Sequence, residues 1–203
     1  MPVKRSRAET EQRFQDAVVE LVAESGCGNL GINVVAQRAG SDKVLIYRYF
    51  GGLEPLLERV AQSRSWLPEA SELLASAPGD PFQTLSGLSR ALVRHIRSDR
   101  ATHQVSRWRH AARSPLTEQF NSDWRRFWKE ASERLGHGLS FEGRELWRSA
   151  CSLLALAVQA ELNDEGIELR TLERLAENLE SNDGAFPEAD SGAEDDSLPT
   201  NLL

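Results

Sequence analysis

The chain has 203 residues, 24 Lys and Arg against 31 Asp and Glu for a net charge of −7, and a 40% hydrophobic share with 7% aromatics. That share builds a sizeable core, so the chain reads as folded over most of its length. No apolar run reaches the roughly 18 residues of a membrane span, and the polar start from Met1 to Arg7 lacks the apolar stretch of a secretory leader, so the cytoplasm is the expected compartment and no membrane is an expected partner.

Helical periodicity dominates, and alternation of the strand type is rare. The first predicted helix runs from about Arg7 to Glu24, with Phe14, Ala17, Val18, Leu21 and Val22 on one face. Gly26, Gly28 and Gly31 break it. Cys27 falls in that break and Cys151 in a later apolar helix, with no metal-type spacing between them. Cys151 reads as a reduced, buried thiol, and no metal or cofactor is expected. A short helix is predicted over Ile32–Ala39, ended by Gly40 in a left-handed cap or tight turn. Ser41 or Asp42 then caps a second short helix, Lys43–Tyr49, which Gly51-Gly52 stops. A fourth helix is predicted from Leu53 to Trp66, with Pro55 tolerated in its first turn.

Two helices of about seven residues joined by a three- or four-residue turn form a helix-turn-helix. Val35, Ala39, Ile46 and Phe50 are expected to face the first helix. Lys43, Val44, Tyr47, Arg48 and Tyr49 then lie on or near the outer face. A helix this short is not stable alone, so the first and fourth helices must support it. The net negative charge does not argue against DNA binding once its distribution is considered. Residues 181–203 hold six acids and no base, whereas residues 1–60 hold eight bases and eight acids. A DNA reader needs a local basic face rather than a basic total.

Over about residues 8–60 the chain resembles the TetR family of regulators. The resemblance rests on the spacing from Phe14 through Ala36, on Arg38-Ala39-Gly40, Lys43, Tyr47-Arg48-Tyr49-Phe50 and Leu56-Leu57. It implies that the third helix enters the major groove of double-stranded operator DNA and that a homodimer presents two such helices to a near-palindromic site. It further implies that Lys43 contacts DNA, that Tyr47 and Tyr49 touch backbone phosphates and that Val44 lies near base edges, where its methyls can meet a thymine methyl. Arg48 can reach a phosphate or a guanine. Leu45 stands where the family often has Thr, Gly31 where Ser or Thr caps the second helix, and Leu53 where Lys is common. The basic start Lys4, Arg5 and Arg7 is expected to compensate as an arm across the phosphate backbone.

Beyond Pro68 a short helix is predicted over Glu69–Ser76, then longer ones at about 82–98, 100–113, 116–135, 142–163 and 168–180. Phe82, Trp108, Phe120, Trp124, Phe127, Trp128, Phe141 and Trp147 fall in this part. Trp124, Phe127 and Trp128 share a face, either as core or as the wall of a pocket for a small-molecule effector. His103, Arg107 and His110 share a face of the preceding helix and offer polar anchors to such a ligand. The helix around Trp147–Leu162 is apolar on most sides, which asks for burial by a second subunit as well as by its own core. Ala150, Leu154, Ala157 and Val158, with Leu172, Leu175 and Leu179 of the next stripe, are the expected dimer contacts, paired as a four-helix bundle. Residues 181–203 read as an acidic disordered tail.

The expectation is thus an all-α protein. A three-helix helix-turn-helix domain occupies residues 1–60, with a basic arm at 1–7, and a larger helical effector-binding and dimerisation domain occupies 61–180. The expected function is a transcriptional regulator of the repressor kind, released from its operator by a small effector that shifts the fourth helix. No metalloprotease, nucleophile-elbow or P-loop motif is present, so catalysis is not expected. A helical adaptor that binds proteins and no DNA is the alternative, and the Gly40–Phe50 cassette, which an adaptor does not need, argues against it.

Overall fold

The computed structural model describes residues 6–75, 81–137 and 141–163. Among these the regular elements are all helical: α1 (Arg7–Ser25), a 3₁₀ turn (Cys27–Asn29), α2 (Ile32–Arg38), α3 (Val44–Phe50), α4 (Leu53–Ser63), α5 (Ala70–Leu74), α6 (Pro81–Ser98), α7 (Arg100–Trp108), α8 (Pro115–Leu135) and α9 (Phe141–Leu162). The stripes at 168–180 and the tail at 181–203 lie outside the described residues, as do Lys4 and Arg5.

Local chemistry sets several helix starts. Ser6 caps α1 in a box with Glu9, each side chain taking the other's backbone amide. Ser114 and Thr117 do the same for α8, with Pro115 in its first turn. Asp99 caps α7 by accepting from the amides of Ala101 and Thr102. The start of α5 is capped from a distance: the Glu130 carboxylate of α8 accepts from the Ala70 and Ser71 amides, both at 3.2 Å.

The core is a single hydrophobic cluster that runs from Phe14 on α1 to Leu162 on α9. It does not divide at residue 60. α4 packs against α1 and α3 on one side and α8 on the other, and α7 lies along α1 while also touching α6, α8 and α9. Cys27 and Cys151 are free and buried within this cluster. Burial pushes their thiols up to about 11 and about 12, so both stay protonated and unreactive.

Two expectations are corrected here. α4 ends at Ser63, not Trp66, because Arg64 turns to an extended backbone and reaches Asp99 at the head of α7. Trp66 then folds back, donating from Nε1 to the Ala61 carbonyl at 3.2 Å, under the Arg64 guanidinium. Arg7 belongs to the first turn of α1 rather than to an arm. Its guanidinium pairs with Glu11 at 2.5 Å and lies 5.1 Å over the Tyr49 ring.

Candidate DNA-reading surface and effector cleft

The α3 helix cannot hold itself. Ordering its backbone costs roughly 1–2 kcal/mol per residue, whereas its one fully buried side chain, Ile46, returns only about 1.5–3 kcal/mol. The difference comes from its neighbours. Phe50 meets Phe14 of α1 edge-on, with ring centroids 6.1 Å apart. The Asp42 carboxylate accepts from the Val44 amide at 2.8 Å and caps the helix. Gly40 makes the turn from α2 at φ 55, a left-handed conformation that favours glycine. Arg13 of α1 reaches beneath it to donate to the Ala39 carbonyl. α2 contributes Val35 and Ala36 to the core and starts at Gly31 with no side-chain cap, as its sequence implies.

This support leaves one edge of α3 in solvent. Val44 is 60% and Tyr47 56% exposed, and Lys43 and Arg48 are also exposed. The Lys43 ammonium donates to the Asn33 side chain of α2 at 3.2 Å, which orients it along the same surface. Leu45 and Tyr49 are half-buried against the core, so they present only part of their surface. Arg38, which precedes the turn, is held by Glu24 at 2.5 Å and Glu20 at 3.3 Å and faces α1 instead of the open edge.

Between α8, α9 and the end of α7 lies a half-open cleft of about 1000 Å³. Of the predicted pocket residues only Trp124 and Trp128 line it, joined by His110, which had been paired with His103 and Arg107 as an anchor. Phe120 and Phe127 are wholly within the core behind that wall. Trp147 is buried beside Gly136. His103 bonds the Leu162 carbonyl at 3.2 Å through Nε2, and Arg107 points to solvent. A helical stripe carries side chains on both of its flanks, and periodicity alone does not say which flank meets the void.

Trp108 is the largest departure. Its indole rests on the turn between α1 and α2, against Gly26 and Gly28. A Cβ at Gly28 would come within 2.8 Å of its ring, and a Cβ at Gly26 would overlap its Nε1. The glycines that read as helix breakers form the socket for this ring.

Sequence reasoning missed Arg109. It follows Trp108 and lines the cleft, with its guanidinium 4.4 Å over the Trp124 ring and Nη1 donating to Gln159 at 3.0 Å. Burial, with the nearby charge of Arg125, lowers its pKa to about 10, so it remains a cation at neutral pH. Burial and Arg109 also depress the His110 imidazole.

On α9, Val158 is fully buried in its own chain and is not available to a partner, while Ala150, Leu154 and Ala157 are half-buried. The exposed apolar side chains are instead Leu153 at 64% and Leu156 at 69%. Leu172, Leu175 and Leu179 lie outside the described residues.

A helix-turn-helix braced by α1 and α4 and joined through one core to a larger helical layer defines a class of architecture. The chain has the fold of TetR-like transcriptional regulators. It superposes on HlyIIR, a hemolysin II transcriptional regulator, with a TM-score of 0.58 at 16% identity over 85% of this chain and 98% of that one. A TetR-like transcriptional regulator from Rhodococcus sp. RHA1 gives 0.54 at 19% identity over 87% and 96%. NalD, the secondary repressor of the MexAB-OprM multidrug efflux pump in Pseudomonas aeruginosa, gives 0.54 at 18% over 87% and 94%. No family model matches the chain, and no curated protein matches it by sequence. No helix of the described residues is long and apolar enough to cross a membrane.

Proposed function

We propose that this protein is a sequence-specific DNA-binding transcriptional regulator, a repressor in the simplest case, that works as a homodimer and leaves its operator when a small effector occupies the α8–α9 cleft. The observation that carries the reading is the open edge of α3. Lys43, Val44, Tyr47 and Arg48 are exposed on a helix whose opposite side packs on the core through Ile46. Cations for phosphate and guanine, a phenol for phosphate and methyls for thymine are the groups that a major-groove reader uses. The fold shared with known regulators supports the same reading. A protein-docking adaptor would present a continuous apolar face at this edge rather than alternating charged and apolar side chains. No catalytic role is assigned to the chain.

The path from cleft to reader runs along α7 as well as α4. The head of α7 is tied to the end of α4 by the Arg64–Asp99 ion pair. Its last residue, Trp108, sits in the Gly26–Gly28 socket at the foot of α1, and the next residue, Arg109, lines the cleft. An effector that draws on Arg109 moves Trp108 against that socket and changes the spacing of the two α3 helices in a dimer. It does so only to the extent that it binds one spacing better than the other.

A gel shift with the DNA upstream of the protein's own coding region, run at rising salt, tests the reading. The wild-type chain is expected to retard it, with retardation weakening steeply as salt rises. The Tyr47→Ala and Arg48→Ala double variant is expected to lose about 10–100-fold in affinity. No retardation of any duplex at low salt would count against DNA binding.

A further inference from the structure

The cleft has a basic wall. Arg109, Arg125 and Lys129 line it, and Glu133 is the single carboxylate among the described lining residues. Glu133 lies 3.8 Å from Lys129, one turn away on α8. The walls beneath the charges are apolar: Trp124 and Trp128 on α8, Ala155 and Leu156 on α9.

Arg109 is the focus of the imbalance. Among the described residues no carboxylate pairs with it. It is held by the neutral Gln159 amide and by the faces of Trp124 and Phe120, and its buried Nε has no hydrogen-bond partner. A desolvated guanidinium is costly unless an anion completes it. Trp128, on the same wall, carries a second buried donor without a partner, Nε1. A guanidinium at the cleft wall, stacked on an indole and with no carboxylate partner among the described residues, calls for a ligand with negative charge and a flat or apolar body. A volume of about 1000 Å³ admits a small organic molecule.

We propose that the α8–α9 cleft is a site for organic anions, carboxylates joined to an aromatic or acyl body, with Arg109 receiving the carboxylate and the Trp124–Trp128 wall receiving the body. The proposal rests on the reading of the chain as an effector-responsive regulator and narrows its ligand class. The acid supplies the charge that Arg109 lacks, and its two oxygens match the guanidinium fork. A neutral ligand of the same shape would leave that cation desolvated and uncompensated.

The test is direct binding to the full chain without DNA, read by tryptophan fluorescence and by thermal shift. The probes are 1-naphthoate and decanoate, their neutral amides, and inorganic phosphate. Both acids are expected to bind in the micromolar range and raise Tm, with the amides at least about 10-fold weaker and phosphate weaker than either acid, because the body contributes. Arg109→Gln is expected to weaken the acids about 10–100-fold and leave the amides nearly unchanged. Arg125→Gln, a change at an exposed position on the same wall that spares the fold, is expected to weaken the acids about 3–10-fold. An amide binding within about threefold of its acid, neither acid binding below millimolar, or unchanged acid binding in a folded Arg109→Gln overturns the proposal, as does unchanged acid binding in Arg125→Gln where Arg109→Gln fails to fold. Because no DNA is present, the two readings fail separately. Acid-selective binding by a chain that retards no duplex would sink the regulator, and operator binding without acid selectivity would sink only the ligand class.

Discussion

At the scale of single residues, two glycines flanking the same break have opposite roles. Gly26 sits at φ 74 with the Trp108 indole against it, so a methyl there meets both backbone strain and a side chain that cannot move without disturbing α7. Gly31 has extended backbone and nothing within 4 Å of an added Cβ, and it leaves the first amides of α2 without a side-chain cap. Gly26→Ala is therefore expected to cost about 2–4 kcal/mol from left-handed strain and overpacking combined. Gly31→Ser is expected to stabilise by about 0.5–1 kcal/mol through capping and a less flexible unfolded chain. Urea denaturation of the two variants checks both signs. The glycines look alike in the sequence, because what separates them is a tryptophan about 80 positions later whose location only the fold supplies.

At the scale of elements, helix limits governed by neighbours in sequence were readable and those governed by distant partners were not. Gly40, Asp42 and Gly51 mark their helix ends as their chemistry requires. The end of α4 was placed too late because the apolar pattern continues through Trp66, whereas Arg64 is drawn out of the helix by Asp99, 35 residues on. The same blindness applies to the stripes of α7 and α8. Periodicity grouped Trp124 with Phe127 and Trp128 correctly, but it gave no reason to choose Arg109 over His103 or Arg107.

The Asp99 junction also has a pH signature. Burial pushes its carboxyl up, but the Thr102 hydroxyl, Arg64 and the amides of Ala101 and Thr102 outweigh that and hold it below the usual carboxylate range. A carboxyl depressed on folding contributes stability above its unfolded value, and that contribution is lost as pH falls through the lower folded value. Asp99→Ala is expected to cost about 1–2 kcal/mol at pH 7, and Asp99→Asn, which keeps the cap, less than about 1. Unfolding of both variants and the wild type at pH 7 and in strong acid should show differences that shrink as the wild-type carboxyl protonates. Differences that persist unchanged would mean that ionisation of the Asp99 carboxyl contributes nothing to stability.

At the scale of the whole molecule, α1 and α7 make the reader and the cleft parts of one packed body rather than beads on a hinge. That arrangement suits a switch that works by small shifts, since a packed core transmits displacement between discrete arrangements. The apolar surface left outside the cleft is on α9, where Leu153 stands in solvent in a single chain, next to Leu156 of the cleft wall. Under the proposed function a second copy of the chain is the expected occupant, because a two-fold DNA reader needs one. Leu153→Asp, at a position that does not line the cleft, is expected to shift the chain toward monomer in sedimentation. It should weaken operator binding at low protein concentration without altering helix content.

The most direct measurement is selection of duplexes from a random pool by the wild-type chain and by Tyr47→Ala. The wild type is expected to enrich an inverted repeat with half-sites about one helical turn, roughly 10 base pairs, apart or a multiple of it, and the variant to lose that enrichment while remaining folded. Recovery of no common sequence by the wild type, or of the same repeat by both proteins, would contradict the assignment of the Lys43–Tyr49 edge as the surface that reads DNA.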